Sequence, residues 1–361
     1  MNVSPLLPAQ TEAHLPQSTR SASVVMGRQD YLSVVLRLIG MELYKLRRRA
    51  MSKVLGIIAV VLAVLPFALV AFGTFATANA PANSFAPSCQ AFNAPGSSQS
   101  QQPGSPPACA TPSPAQVAQE RQLIVQTTSA PLRLPNSLNV AVQYGLIVGI
   151  VLLVILVGTI AGGEYGTGTI RLLFIRGPTR TQFLLAKLGA ALVVIFITLL
   201  LMTLLGVLTG QVFNPVSGIA QTGDFWSAVW IGHALLYLLI ALFNWFMFAA
   251  IAIFFATLGR STAAGVVAGI SWLFVEPILG SVLTLLGTFS RGALGDLLKA
   301  IPNYFIGNNF SALLNDQGQY LSFGGPTPTV SVFHAVIVLL IYFAFFIGLA
   351  WWINRRRDVT N

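Results

Sequence analysis

Few side chains in this sequence could take part in chemistry, and the clearest is a single carboxylate. Glu276, next to Pro277, is the one acidic residue that stands well inside an apolar stretch. An isolated charge in an apolar environment costs several kcal/mol, so this group must be protonated, paired or in contact with water. Glu276 and Asn244 are therefore candidate residues of a transport pathway. The alternative is a neutral acid that a neighbouring helix satisfies.

The motifs of common enzymes do not occur in the sequence. No Gly-x-x-x-x-Gly-Lys-Ser/Thr run is present, so the chain has no phosphate-cradling loop of its own. His-Glu-x-x-His and Gly-x-Ser-x-Gly are also missing. The histidines, His14, His233 and His334, are too far apart in sequence to favour a metal site. We expect this chain to be no enzyme and to hold no metal or cofactor.

The composition predicts an integral membrane protein. Of 361 residues, 55% are apolar and only 8% are charged, whereas a soluble domain keeps about 25% charged residues. The net charge of +10 comes from short basic clusters beside apolar runs, which is typical of membrane topology. Because no soluble fold is visible to display a basic surface, we expect no nucleic-acid partner.

Six stretches are long enough to cross about 30 Å of hydrocarbon as helices, and helix is the only single-segment structure that pairs its own backbone in lipid. They are Val54–Gly73, Ala141–Ala161, Leu188–Thr209, Ala228–Leu258, Ala263–Leu286 and Phe333–Ile353. The predicted fold class is an all-α integral membrane protein with six transmembrane helices.

The distribution of Lys and Arg predicts the orientation. With a cytoplasmic N-terminus, sixteen of the twenty basic residues lie inside, and only Arg121, Arg133, Arg291 and Lys299 lie outside. Both termini are therefore expected in the cytoplasm, in the plasma (inner) membrane of a bacterium.

Residues 1–33 are polar and are expected to form a disordered tail. Residues 34–50 follow as an amphipathic interfacial helix, with its basic face toward anionic lipid or a partner. An ordinary positive-inside anchor explains the same pattern. Residues 51–361 form the six-span domain. The expected apolar stripe of the interfacial helix consists of Leu36, Ile39, Leu43, Leu46 and Ala50.

Two outer segments have a character of their own. The first, residues 74–140, carries both cysteines, and Cys89 and Cys109 on the oxidising side favour a disulfide over two free thiols. In the same loop, Ser113 is expected to cap a short helix over Ala115–Gln126. The second segment, residues 287–332, holds an amphipathic stretch that stops at Pro302 and suits the outer membrane surface or a re-entrant turn.

The inner segment 162–187 contains a short predicted helix. Thr167 or Thr169 can cap it, it continues through Phe174, and Gly177-Pro178 end it. Thr181 is expected to start the next helix. Glu164 ends the second span just inside the membrane, where a carboxylate needs a donor. The expected donors are backbone N–H groups of the following helix or an arginine of a partner.

This segment resembles the signature of type-2 ABC transporter permeases, which pair with a separate ATP-binding subunit. The resemblance rests on Glu164, Gly168-Thr169, Leu172-Leu173, Pro178, Arg180 and Lys187. The helix with Glu42 and Lys45, the large first outer loop and the Arg355–Asp358 ending agree with it.

The resemblance implies an exporter that contains two permease copies, as a homo- or heterodimer, and two ATP-binding subunits. The ATP-binding subunits would hold ATP and Mg²⁺. Glu164, Thr169, Arg171, Phe174 and Arg180 would then form the coupling contact with the ATPase. A secondary transporter and a non-transporting membrane scaffold or sensor remain as alternatives. The substrate is not given by the sequence.

Overall fold

The computed structural model describes residues 31–81, 113–166, 178–220, 225, 227–321, 323, 327–328 and 330–356, and within them all regular structure is helical. The helices are α1 (Tyr31–Arg48), α2 (Ala50–Ala78), α3 (Pro114–Thr128), α4 (Asn136–Tyr144), α5 (Ile150–Gly166), α6 (Arg180–Phe213), α7 (Ala228–Gly259), α8 (Thr262–Phe289), α9 (Ala293–Ala300), α10 (Ile306–Tyr320) and α11 (Val332–Arg356).

Six helical segments are long and apolar enough to cross a membrane, and each contains one of the predicted spans. Their bounds are Ala50–Ala78, Asn136–Tyr165, Arg180–Ser217, Ala228–Gly259, Thr262–Phe289 and Val332–Arg356. The chain is therefore an all-helical, multi-pass membrane protein, as the sequence predicts.

Polar caps make the helices longer than their apolar stretches. Helix α6 begins at Arg180, so the predicted start at Thr181 was late by one residue. Thr179 Oγ1 accepts a hydrogen bond from Gln182 N–H at 3.3 Å, and Gln182 Oε1 accepts one from Thr179 N–H at 2.9 Å. This reciprocal pair is a capping box, which fixes the start of a helix. Ser113 caps α3 in the same way and confirms the short helix predicted there.

Helix α7 is the centre of the bundle. In the most apolar stretch of α7, 61% of the residues are buried inside the protein. In the corresponding stretch of α8, 11% are buried. Trp245, which is fully buried, lies against Gly145 and Gly149. Those two glycines bound a π-helical turn, Gly145–Gly149, that joins α4 to α5. The absence of side chains at both positions leaves the space that the indole ring occupies.

Glycines bring α5 and α8 into close contact. A Cβ atom on Gly158 would lie 2.6 Å from Val266 Cγ2, and one on Gly269 would lie 2.6 Å from Val154 Cγ1. Gly162 lies directly against the backbone of Thr262. Glycines four residues apart on facing helices allow such backbone approach in membrane proteins. The contact also puts the end of α5 and the start of α8 at the same end of the bundle.

Helix α1 packs on α6 through a buried stripe of Val35, Leu38, Glu42 and Leu46. This differs from the stripe expected from the sequence, since Leu36 is 58% exposed. The reason is that α1 lies on protein and buries a charged residue that is paired there, so apolar side chains alone do not mark its inner face.

Helices α9 and α10 return into the bundle after α8 ends. The contacts of this segment move back along α8 toward its start. Gly295 lies beside Ser290, just past the end of α8, and Lys299 lies beside Gly287. Phe305 then lies beside Gly280, and Gly307 beside Glu276. The last position is thirteen residues before Phe289, or about 20 Å along the helix. Helix α10 then runs back toward the first turns of α7, where Gln317 Oε1 lies 2.8 Å from His233 Nδ1.

Candidate functional site

Four charged residues from three helices form one cluster, called here the Glu164 cluster: Glu42, Lys45, Glu164 and Lys187. Lys45 Nζ donates to Glu164 Oε1 at 2.8 Å and to Glu42 Oε1 at 3.1 Å. Lys187 Nζ lies 3.1 Å from Glu164 Oε2 and also donates to the Ile160 carbonyl. The cluster thus holds two carboxylates and two ammonium groups, with Glu164 between the two lysines.

Three of the four residues of the cluster are removed from solvent, and the Lys45 side chain is 38% exposed. Lys187 is 2% exposed, Glu164 is 7% exposed and Glu42 is 8% exposed. Burial by itself lowers the pKa of Lys45. Its hydrogen bond to Glu164 and the charges of Glu42 and Glu164 raise it, and the net pKa lies above the usual lysine value. Lys45 is therefore a charged partner of Glu164 at neutral pH.

This cluster joins α1, the end of α5 and the start of α6. Glu164 stands three residues before segment 167–177, and Lys187 stands in the second turn of the helix that follows it. Lys45 then ties the same point to α1, 119 residues earlier in the chain. The ion pairs therefore link three helices close to the two points where segment 167–177 is attached.

Arg180 connects the start of α6 with the end of α11. Its Nη1 donates to the Asn354 carbonyl at 3.2 Å, and Asn354 Nδ2 donates to the Arg180 carbonyl at 2.8 Å. A cation beside the last carbonyls of a helix is favourable, because the helix dipole is negative there. The contact puts the C-terminal end of α11 at the same end of the bundle as the Glu164 cluster.

Glu276 is held by two donors in the middle of α8. Trp272 Nε1–H donates to Oε2 at 2.5 Å, and the Gly307 backbone N–H donates to Oε1 at 2.5 Å. Gly307 is in the first turn of α10, whose N-cap residue, Phe305, has no side chain that could cap it. Glu276 therefore supplies the cap from a neighbouring helix.

Glu276 and Asn244, predicted as pathway residues, line one cavity of about 360 Å³. The other polar residues of its lining are Gln143, Ser311 and Asn315. Asn244 Oδ1 is buried and has no hydrogen-bond partner among the residues described. Buried polar atoms are nearly always paired in folded proteins, so this atom is an acceptor available to water or a ligand.

A second cavity of about 620 Å³ lies on the other side of Glu276 and shares Gly307 and Ser311 with the first. It extends along α8 past Ser281, Thr284 and Thr288. Polar groups thus continue from the middle of the bundle toward the end at which α8 finishes.

The partners of Glu164 in the structure differ from those expected from the sequence. Within the described residues Lys45 donates a hydrogen bond to it and Lys187 forms an ion pair with it, where a backbone N–H or an external arginine was expected. Lys187 was named as part of the resemblance to type-2 permeases, and no partner within the chain was expected for it. Apolar neighbours on both sides, Leu184 to Ala186 and Leu188, were the available signal that this lysine is buried. Nothing in the sequence around Trp272 or Gly307 indicated that these residues donate hydrogen bonds to Glu276.

Several predicted site residues lie outside the described residues. Thr169, Arg171 and Phe174 belong to segment 167–177, and Cys89 and Cys109 belong to segment 82–112. The coupling helix and the disulfide both stay predictions.

Comparison with protein families gives one match. The family described as "Protein of unknown function (DUF2705)" matches residues 131–360, which is more than half of the chain. The chain belongs to this family. The DUF2705 match includes Glu164, Lys187, Asn244 and Glu276, and it begins after α1, α2 and the cysteine-bearing segment. No curated protein and no solved structure matches the chain.

Proposed function

We propose that this chain is the permease subunit of an ABC transporter. Two permease copies would form the pathway, and a separate ATP-binding subunit, which holds ATP and Mg²⁺, would drive transport outward. The substrate class is left open, since the apolar spans select none.

The Glu164 cluster is the observation that carries this proposal. A subunit driven by an external ATPase needs a rigid connection between its docking segment and its spans. Glu164 sits at the edge of segment 167–177, and two lysines hold it at 2.8 and 3.1 Å. Buried, charge-assisted contacts of this kind are stiff and specific. The resemblance of Glu164, Arg180 and Lys187 to type-2 permeases supports the same role.

The proposed location is the plasma (inner) membrane of a bacterium, with both termini in the cytoplasm. The end of the bundle that holds Arg180, Arg260 and Arg355 would face inward, by the positive-inside rule. Segment 82–112 would then be outside. Reporter fusions at residues 31, 220 and 356 test this, because the proposal places the first and last inside and the second outside.

The proposal predicts that Glu164→Ala and Phe174→Ala weaken ATPase binding or uncouple hydrolysis from transport. Truncation of Glu164 breaks its buried pairs with Lys45 and Lys187, which typically costs about 3–5 kcal/mol and would loosen the attachment of the docking segment. Leu294→Ala is the matched control, because Leu294 is exposed on α9, remote from the cluster. Co-purified ATPase and substrate-stimulated hydrolysis are measured for all three variants. Wild-type values for Glu164→Ala and Phe174→Ala would refute the coupling role.

Secondary transport is the second candidate, and the Glu276 cavity favours it. An ionisable residue at mid-membrane beside an unpaired amide oxygen is typical of ion-coupled carriers. The two functions differ in their energy source. In proteoliposomes containing this chain alone, an imposed proton or sodium gradient would drive uptake by a secondary transporter. A permease would stay inactive until its ATPase and ATP were added.

A further inference from the structure

An apolar groove opens between α2, α5 and α6, away from both sites described above. Its volume is about 360 Å³, and side chains such as Leu55, Leu152 and Leu156 line it. Along α6 it extends from Val194 to Met202, which is about 12 Å at the helical rise. A narrow apolar slot of this length between membrane-spanning helices has the dimensions of a hydrocarbon chain.

One end of the groove is basic. Arg47 and Lys53 line the groove, and they also line a surface depression of about 640 Å³ together with Tyr44 and Arg48. Arg48 stacks on Tyr44, with its guanidinium carbon 5.1 Å from the ring centre. The apolar groove and the basic depression are therefore continuous through two shared side chains.

Within the described residues, no acidic side chain neutralises the positive charge of this depression. Neither Arg47 nor Lys53 has an acidic partner in the part of the chain that the structure describes. Glu42 and Glu164 are paired with Lys45 and Lys187 instead. Ser52, between the two basic residues, has a buried hydroxyl oxygen with no hydrogen-bond partner among the described residues. Two cations and a hydroxyl, none of them paired with another described side chain, thus surround the mouth of an apolar slot.

We propose that this site binds one anionic phospholipid, with an acyl chain in the groove and the phosphate at Arg47, Lys53 and Ser52. Basic pockets between membrane helices attract anionic headgroups, because each Lys or Arg near the surface adds to the binding energy. Charge complementarity selects an anionic lipid over a zwitterionic one, and the apolar slot selects a lipid over a soluble phosphate. The site does not depend on the transport role proposed above.

Lipid binding to the full-length chain in detergent tests the headgroup contacts. Native mass spectrometry is used to compare phosphatidylglycerol with phosphatidylcholine of the same acyl chains. The wild type should prefer phosphatidylglycerol, and Arg47→Gln/Lys53→Gln should reduce that preference about 10- to 30-fold. Arg355→Gln/Arg356→Gln is the matched control. These two residues are also exposed and adjacent to an aromatic ring, and the control should keep the wild-type preference. An unchanged preference in the first variant, or an equal loss in the control, would overturn the site.

The groove itself is tested with glycine substitutions. Gly56 lines the groove and has open space at its Cβ position, and Gly348 in α11 has open space too. Gly56→Trp should fill the slot and lower the affinity for phosphatidylglycerol at least tenfold, whereas Gly348→Trp should not. Wild-type lipid binding by Gly56→Trp would overturn the proposal. So would a change in oligomeric mass at unchanged lipid affinity, because a second copy of the chain would then be the occupant.

Discussion

Lys187 is the most deeply buried charged side chain of the residues described, at 2% exposed. Its place in the fold depends on Glu164, since an ammonium group out of water needs a counter-charge. Its ammonium group also lies over the Phe183 ring, with Nζ 4.5 Å from the ring centre. The same reasoning applies to Glu164, which would be left partly uncompensated without Lys187.

Removal of both partners should therefore cost less than the sum of the two single removals. Lys187→Met should lower the free energy of unfolding by about 3–5 kcal/mol, because it breaks a buried pair. Lys187→Met/Glu164→Gln should cost less than the sum of the single changes, with a coupling of about 0.5–3 kcal/mol. Thermal unfolding in detergent measures both. Lys53→Met, at an exposed lysine, is the control and should change stability by less than about 0.5 kcal/mol. Additive effects would show that the two residues act independently.

The carboxylate of Glu276 accepts hydrogen bonds from two different helices. Both of its oxygens accept from N–H donors, whereas a glutamine presents one acceptor and one NH₂ group. Glu276→Gln should leave one donor, on Trp272 or Gly307, without an acceptor, at a cost of about 1–3 kcal/mol. Hydrogen exchange should then increase at the first turn of α10. Trp272→Phe, which removes one donor and keeps the acid, should leave that turn protected. Equal protection in wild type and Glu276→Gln would mean that the carboxylate does not cap α10.

Among the elements, the contact of α5 with α8 depends on glycine. Gly158→Leu would place atoms where Val266 now lies, 2.6 Å from the Cβ position. Overpacking of this kind typically costs about 1–3 kcal/mol, so the melting temperature in detergent should fall. Gly348→Leu should leave it unchanged, because nothing lies within 4 Å of that position. A similar effect of both substitutions would indicate a helix-propensity effect and no close packing.

The attachment of α1 should depend on the charge of Lys45. Because its pKa is raised on folding, the pairing stabilises attachment below the usual lysine value of about 10.4. That stabilisation is lost as the pH rises through the higher value of the folded state. A fluorophore on Gly40→Cys should report release of α1 only in this alkaline range. With Lys45→Arg the release should disappear, since a guanidinium keeps its charge. Release near neutral pH in the wild type would contradict this account.

The elements themselves were largely predictable from the sequence. The length of the apolar stretches predicted all six spanning helices, and Ser113 as a cap predicted α3. Both signals are local in the sequence. The inner face of α1 was predicted about one residue out of register. Glu42 was not expected on the inner face of α1. It lies there because its partner, Lys45, also pairs with Glu164. Local patterns cannot show which polar residue a distant helix will neutralise.

For the whole molecule, the return of α9 and α10 was predicted only as one of two arrangements. The amphipathic stretch before Pro302 fits a membrane surface as well as a re-entrant turn. What distinguishes them is the contact of Gly307 with Glu276, 31 residues apart. The Glu164 cluster is a similar case, since Lys45 and Glu164 are 119 residues apart. Pairings at such separations depend on the packing of complete helices.

If the chain is a permease, an ATP-binding subunit should be bound to it in its native membrane. The full-length protein is purified from its native membrane in mild detergent, and its partners and ATP hydrolysis are measured. The account predicts that an ABC-type ATP-binding subunit co-purifies in a one-to-one ratio. It also predicts that hydrolysis is present in the complex and absent after that subunit is stripped away. Purification without any nucleotide-binding protein, or ATP turnover by the stripped chain, would contradict it.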